Sequence, residues 1–124
     1  MTGTRGVTAY EGAGMDPTVR VTARGEVPAD VRRYAEEKVR RACSVTSRPV
    51  LSARVTLTLA ADPAHERPAR ADAVLDVNGT VLDGHAEAGT LREAIDQLEA
   101  LLRRRLVDHH DRTRGRRRAG GAGA

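Results

Sequence analysis

Apolar and polar positions alternate over Thr18–Arg24, with Val19, Val21 and Ala23 on one side and Arg20, Thr22 and Arg24 on the other. That period of two predicts a half-buried strand. The spacing then changes: Val31, Tyr34, Ala35, Lys38, Val39 and Ala42 recur at helical intervals, which predicts a helix from Pro28 to Cys43 with the proline in its first turn. Lys38 falls at the edge of the apolar stripe, where its stem packs and its ammonium reaches water. Alternation returns at Leu51, Ala53, Val55, Leu57 and Leu59, a second strand expected to turn all five inward. After a polar loop over 61–68, Ala71, Ala73, Leu75 and Val77 form the core face of a third strand. Asn78-Gly79 is a strong two-residue hairpin signal leading into a fourth strand with Leu82, Gly84 and Ala86 inward. Thr90 and Glu93 have the spacing of a capping box. It opens a second helix whose apolar side is Leu91, Ala94, Ile95, Leu98, Leu102 and Leu106, ending near Asp108 to His110.

The order is β-α-β-β-β-α. A right-handed crossover makes the first two strands parallel, and the two following connections are antiparallel. The expected architecture is α+β: a four-stranded mixed sheet with two parallel helices on one face. The domain covers residues 18–110. Residues 1–17 have no periodicity and read as a disordered lead. Residues 111–124 are Arg- and Gly-rich, too polar to pack, and read as a disordered basic tail or the start of a linker.

Composition narrows the possible functions. The 124 residues include no Phe, no Trp and only Tyr10 and Tyr34, so the aromatic platform on which single-stranded RNA readers and OB-type barrels stack bases is missing. The single cysteine, Cys43, excludes an intramolecular disulfide and argues for a reducing compartment. Neither a signal-peptide core nor a membrane-spanning apolar run is present, and a cytoplasmic location is expected. No glycine loop opens a helix, and there is no Cys-x-x-Cys or His-Glu-x-x-His. Asp108-His109-His110-Asp111 has metal-like residue types, but adjacent helical positions do not face each other, so no metal site is expected. His65 in a loop and His85 on the outer face of the fourth strand read as surface residues, and Cys43 as a small buried hydrophobe. Neither enzyme activity nor a cofactor nor a small-molecule substrate is expected.

The formal net charge is +4, and 20 of the 21 basic residues are Arg. The charge is localised: residues 103–124 hold eight arginines against two aspartates, which leaves the remainder slightly acidic. The first helix carries Arg32, Arg33, Arg40 and Arg41; the second ends in Arg103, Arg104 and Arg105, with Arg112 following. Parallel helices would bring Arg40, Arg41, Arg103 and Arg104 to one end of the molecule, a surface suited to RNA phosphates. The same residues also fit a plainer role. Arginine near a helix C-terminus offsets the macrodipole, and Glu36 and Glu37 stand four residues before Arg40 and Arg41. Charge alone leaves both readings open.

Several segments resemble the ribosome hibernation factor family, the small ribosome-associated inhibitors also called sigma-54 modulation or ribosomal subunit interface proteins. They are the first strand with Arg24-Gly25, the run from Glu26 through Val39, and Leu75 to Gly79 followed by Leu82 and His85-Ala86-Glu87. Ala94-Ile95-Asp96 with Leu98, Leu102 and Arg104 completes the set. The resemblance spans about Thr18 to Arg112 and keeps the family's element order. It implies binding to the small ribosomal subunit in the channel used by mRNA and tRNA, contact with its rRNA, and inhibition of translation in stress or stationary phase. Carried over by position, the implied RNA contacts are Arg24, Arg32, Lys38, Arg41, Arg104 and His109. The helix reading adds Arg33, Arg40, Arg103 and Arg105, with Arg112 at the start of the tail.

The sequence departs from the family in the loop after Gly25, which is shortened, at Arg92, where an aromatic is common, and at Leu101 and Asp108, where basic residues are frequent. Long members carry a further C-terminal domain that brings two ribosomes together, and self-association is not expected without it. Two other functions remain in view. One is a free double-stranded RNA-binding module acting through shape and 2'-hydroxyl contacts. The other is a protein-interaction domain using the open sheet face, with Arg20, Thr22, Arg54, Thr56, Asp72, Val74 and Asp76. That face is mixed in charge and lacks a large apolar anchor.

Overall fold

A computed structural model describes residues 18–46, 49–62, 64 and 66–123, with side chains through Arg112. The elements are β1 (Thr18–Arg24), α1 (Ala29–Cys43), β2 (Val50–Leu59), β3 (Ala69–Val77), β4 (Thr80–Ala88) and α2 (Leu91–Gly123). The strands form one sheet in the order β1-β2-β3-β4, with β1 and β2 parallel and the other two pairings antiparallel. This is the α+β mixed sheet that the alternation predicts. The lead over 1–17 and His65 lie outside the described residues.

Both helices pack on the sheet face formed by Ala53, Val55 and Leu57 of β2, Ala69, Ala71, Ala73, Leu75 and Val77 of β3, and Ala88 of β4, all buried. Opposite them lie Ala35, Val39 and Ala42 of α1 and Ala94, Ile95, Leu98, Leu102 and Leu106 of α2, also buried. Alanine in the middle of the sheet keeps the layers close. On β4, Gly84 serves the same end, because a Cβ there would stand 2.9 Å from a Leu101 methyl. Pro28 is the N-cap of α1 rather than its first helical residue, and its carbonyl accepts from the Val31 and Arg32 N–H groups.

The Asn78-Gly79 turn has positive φ at both central residues, as a primed hairpin turn requires, and the Gly79 N–H donates to Asp76 Oδ1. Half of the predicted capping box is present: the Glu93 N–H donates to Thr90 Oγ1 at 3.2 Å.

Two boundaries differ from expectation. A register shift between Val50 and Ser52 puts Val50 in the core beside Val77 and turns Leu51 out, 53% exposed, so Leu51 is not an inward residue. A β-bulge breaks the period of two, and the apolar alternation alone does not reveal where it falls. The second helix does not stop near His110; its backbone continues to Gly123. Beyond His110 the five arginines up to Arg118 are strong helix formers and no proline interrupts the run, although Gly115 and the glycines after Ala119 weaken it.

Gly25 closes the end of β1 with φ +95°, and a Cβ there would lie 2.6 Å from the Leu59 carbonyl oxygen of the neighbouring strand. Gly79 has the same φ, with nothing within 4 Å of its Cβ position. Gly25→Ala therefore carries both backbone strain and a collision with main chain, and is expected to cost about 2–3 kcal/mol, against about 1 kcal/mol for Gly79→Ala. Urea unfolding of the two variants measures the difference; equal losses would mean that the Leu59 contact relaxes freely.

Candidate nucleic-acid interface

The helices lie side by side in parallel, and a line of polar contacts fixes their register. At one end Arg92 donates to Asp30 Oδ2 at 3.1 Å. One turn further on, the Tyr34 hydroxyl donates to Asp96 Oδ1 at 2.5 Å. Next, Lys38 Nζ reaches Glu99 Oε1 at 3.3 Å and Asp96 Oδ1 at 3.5 Å. The Tyr34 ring is flanked by the Arg92 guanidinium, 4.6 Å from its centroid, and by Lys38 Nζ at 5.3 Å. Glu99 is buried, and Arg103 donates to its second oxygen at 3.0 Å, so both carboxylate oxygens are paired. A buried carboxylate without such partners would be strongly destabilising.

Three of the cations expected to contact RNA are engaged in ion pairs within the chain. Lys38 and Arg103 hold Glu99, and Arg40 pairs with Glu36 one turn back on α1 at 2.8 Å. The sequence-based expectation places the helices side by side but does not name Glu99, Asp96 and Tyr34 as members of the contact between them. The signal was present in the sequence. Glu99 lies in the apolar stripe between Ile95 and Leu102, as Lys38 does at the edge of the other stripe, and two charges at core-facing positions of adjacent helices call for each other.

Extending the same register brings Arg41 level with Arg103, past the last acid of the seam. Arg41, Arg104 and Arg105 are exposed there and have no ion-pair partner among the described residues. Arg32 and Arg33 are exposed near the other end of α1, and Arg112 is exposed two turns beyond Arg105. His109 is half-buried and engaged within the chain. Arg24 is not brought to this cluster. It sits at the end of β1 with its side chain on the sheet face away from the helices, the face it shares with Arg20 and Thr22.

Burial pushes the Cys43 thiol up to about 11, so it is a neutral thiol at physiological pH. Among the described residues no three His, Cys, Asp or Glu side chains converge as metal ligands, and no helix is long and apolar enough to cross a membrane.

The family model described as "Sigma 54 modulation protein / S30EA ribosomal protein" matches residues 19–114. No curated protein matches the chain. Among solved structures, the N-terminal domain of Protein Y from Thermus thermophilus is similar, with 26% sequence identity and a TM-score of 0.59 over 74% of this chain and 96% of that one. A ribosomal subunit interface protein from Coxiella burnetii shares the fold at 16% identity, with a TM-score of 0.60 and the same coverage.

The Tyr34 phenol is held above its ordinary value of 10.0, first by its hydrogen bond to Asp96. Lys38 is held above 10.5, first by its hydrogen bond to Glu99. Both shifts favour the protonated form in the folded state. The seam's contribution to stability is therefore complete below about pH 10 and is lost as pH rises through the raised values. In a Tyr10→Phe variant, phenolate absorbance is expected to titrate above pH 10 when folded and near 10 in denaturant. A folded midpoint at or below the denatured one would exclude the Tyr34–Asp96 bond.

Proposed function

Because the chain belongs to the sigma-54 modulation protein / S30EA ribosomal protein family, we propose that it is a ribosome hibernation factor. It binds the small ribosomal subunit in the channel used by mRNA and tRNA, contacts rRNA through the helix pair, and blocks translation in stress or stationary phase. The site of action is the cytoplasm. The mechanism is occupancy rather than catalysis, and the partner is the ribosome itself.

The observation that carries this reading is the parallel helix register, which gathers Arg41, Arg104 and Arg105 beyond the last acid of the seam. Unpaired guanidinium groups at one end of a rigid helix pair can neutralise phosphates without first breaking an internal ion pair, and their forked donors match phosphate oxygens. Arg32, Arg33 and Arg112 extend the surface along both helices. Over the nine residues from Arg32 to Arg41 a helix rises about 14 Å, enough to follow several phosphates. Lys38, Arg40 and Arg103 serve instead to hold the surface in shape, and Arg24, on the other side of the sheet, takes no part in it. Recognition of this kind reads backbone shape and charge, not base sequence.

Cosedimentation with ribosomes over a salt series tests the assignment. Replacing Arg41, Arg104 and Arg105 by Ala together is expected to weaken binding and to reduce the slope of log affinity against log salt by about two to three, at roughly 0.7–0.9 per phosphate contact. Arg40→Ala, which removes an already paired cation, is expected to change it less. All variants keep residues 112–124, so nonspecific attraction by the terminal arginines is common to them. Equal pelleting of the triple variant and the parent at every salt concentration would exclude this surface, and equal affinity for a naked RNA duplex would favour the free double-stranded RNA module.

A further inference from the structure

Among the described residues no element covers the sheet face away from the helices, and the strand register sorts its charges. Reading across from β1 to β4, one row is Arg20, Arg54, Val74 and Asp83; the next is Thr22, Thr56, Asp72 and His85; the next is Arg24, Thr58, Arg70 and Glu87. Asp76 on β3 pairs with Val81 on β4 at the near end. The β1–β2 half thus carries Arg20, Arg24 and Arg54 with no acid. The β3–β4 half carries Asp72, Asp76, Asp83 and Glu87, against Arg70 alone. Arg70 bonds Asp72 and Glu87 on its own sheet, at 2.9 and 3.0 Å, which leaves that trio with a net negative charge. The face as a whole is neutral and strongly dipolar across the strands.

We infer that this face is a self-complementary docking surface whose partner is a second copy of the chain, stacked sheet on sheet about a two-fold axis parallel to the strands. Such an axis lays β1 of each copy over β4 of the other and keeps the rows in step. Arg20 then faces Asp83 of the second copy, Arg24 faces Glu87, and Arg54 faces Val74 with Asp72 and Asp76 one step to either side; each contact occurs twice. The alternative in-plane axis, across the strands, would stack β1 on β1 and set Arg20 and Arg24 against their own copies. Charge therefore selects one of the two arrangements.

The geometry tolerates the natural twist. Aligned sheets rotate by about 30°, and an outer strand lies about 7 Å from the axis, so facing residues are displaced by about 4 Å, within the reach of an arginine. The pairing also covers Val74 and Val81, which are 38% and 65% exposed. A nucleic acid is a poor occupant, because a polyanion on the arginine half would lie beside Asp72, Asp83 and Glu87. The stacked area, about 19 by 27 Å per copy, is at the low end for specific interfaces, so the dimer is weak, salt-sensitive and reversible. Self-association then needs no further domain, contrary to the sequence-based expectation.

Sedimentation equilibrium with charge-reversed variants tests this independently of ribosome binding. The parent chain is expected to be dimeric at about 200 µM in about 20 mM salt and monomeric in about 0.5 M salt. Arg20→Glu with Arg24→Glu makes both edges of the face acidic, and Asp83→Arg with Glu87→Arg makes both basic, so each variant alone is expected to be monomeric. Mixed together, their edges complement each other twice, and a dimer is expected to return. All four positions are exposed, and far-UV circular dichroism checks that both variants are folded. A chain carrying all four changes restores the pattern within one molecule and should dimerise like the parent. A parent that stays monomeric in low salt, a variant that still dimerises alone, or folded variants whose mixture stays monomeric would each overturn the proposal.

Discussion

Two helices must share one face of a four-stranded sheet, and that constraint organises the rest of the molecule. The outer strands of such a sheet are about 14 Å apart, and packed helices are about 8–10 Å apart, so the two can cover the face only by lying in contact along their length. The sheet helps by being shallow in the middle: Ala53, Ala71 and Ala73 raise little bulk under the helices, and Gly84 admits Leu101 and Leu102 against β4. A chain without Phe or Trp has no large ring with which to prop the layers apart. Its one described aromatic, Tyr34, stands in the seam between the helices, where its hydroxyl has Asp96 and its ring has two cations.

The seam decides which charges remain for a partner. From Asp30–Arg92 through Tyr34–Asp96 to Lys38–Glu99–Arg103, acids and bases alternate between the helices and satisfy one another. The acids of the seam end at Glu99, and past it the arginines outnumber the two aspartates, Asp108 and Asp111. The positive end is therefore the unbalanced remainder of a packing interaction. This also explains how a chain of modest net charge presents a cationic surface: neutral along the seam, uncompensated at its end. Cations inside the seam hold a fixed geometry, and Arg41, Arg104 and Arg105 past it have no ion-pair partner among the described residues.

What the sequence made legible was local. Strand alternation, the Asn78-Gly79 turn, the Thr90 cap and both apolar stripes depend on residues within a few positions of each other, and each lies where its spacing placed it. The Leu51 bulge was not legible, because Val50 and Leu51 are both apolar and only pairing with β3 decides which one turns in. The pairing of Lys38 and Arg103 with Glu99 was legible only in part, because Glu99 sits in the apolar stripe of its helix but is distant in sequence from Lys38, and only the packing of the two helices brings them together. Arg24 was grouped with the helix arginines, although strand parity puts it on the opposite face. Local pattern gave the elements and the face of Arg24, and pairing across elements gave the contacts of Leu51, Lys38 and Arg103.

The two faces of the sheet thus carry different electrostatic logic, and the difference separates their partners. The helix pair ends in an excess of positive charge, which favours a polyanion over another copy of itself. The open sheet face carries both signs on opposite halves; a polyanion there gains on one half and loses on the other, whereas an inverted copy gains on both. Mixed charge, which looked featureless when the residues were taken along the chain, becomes directional once β1 and β4 are at opposite edges. One net charge can therefore serve two surfaces without confusing them, because it is the arrangement of signs across each face, and not their sum, that selects what docks there.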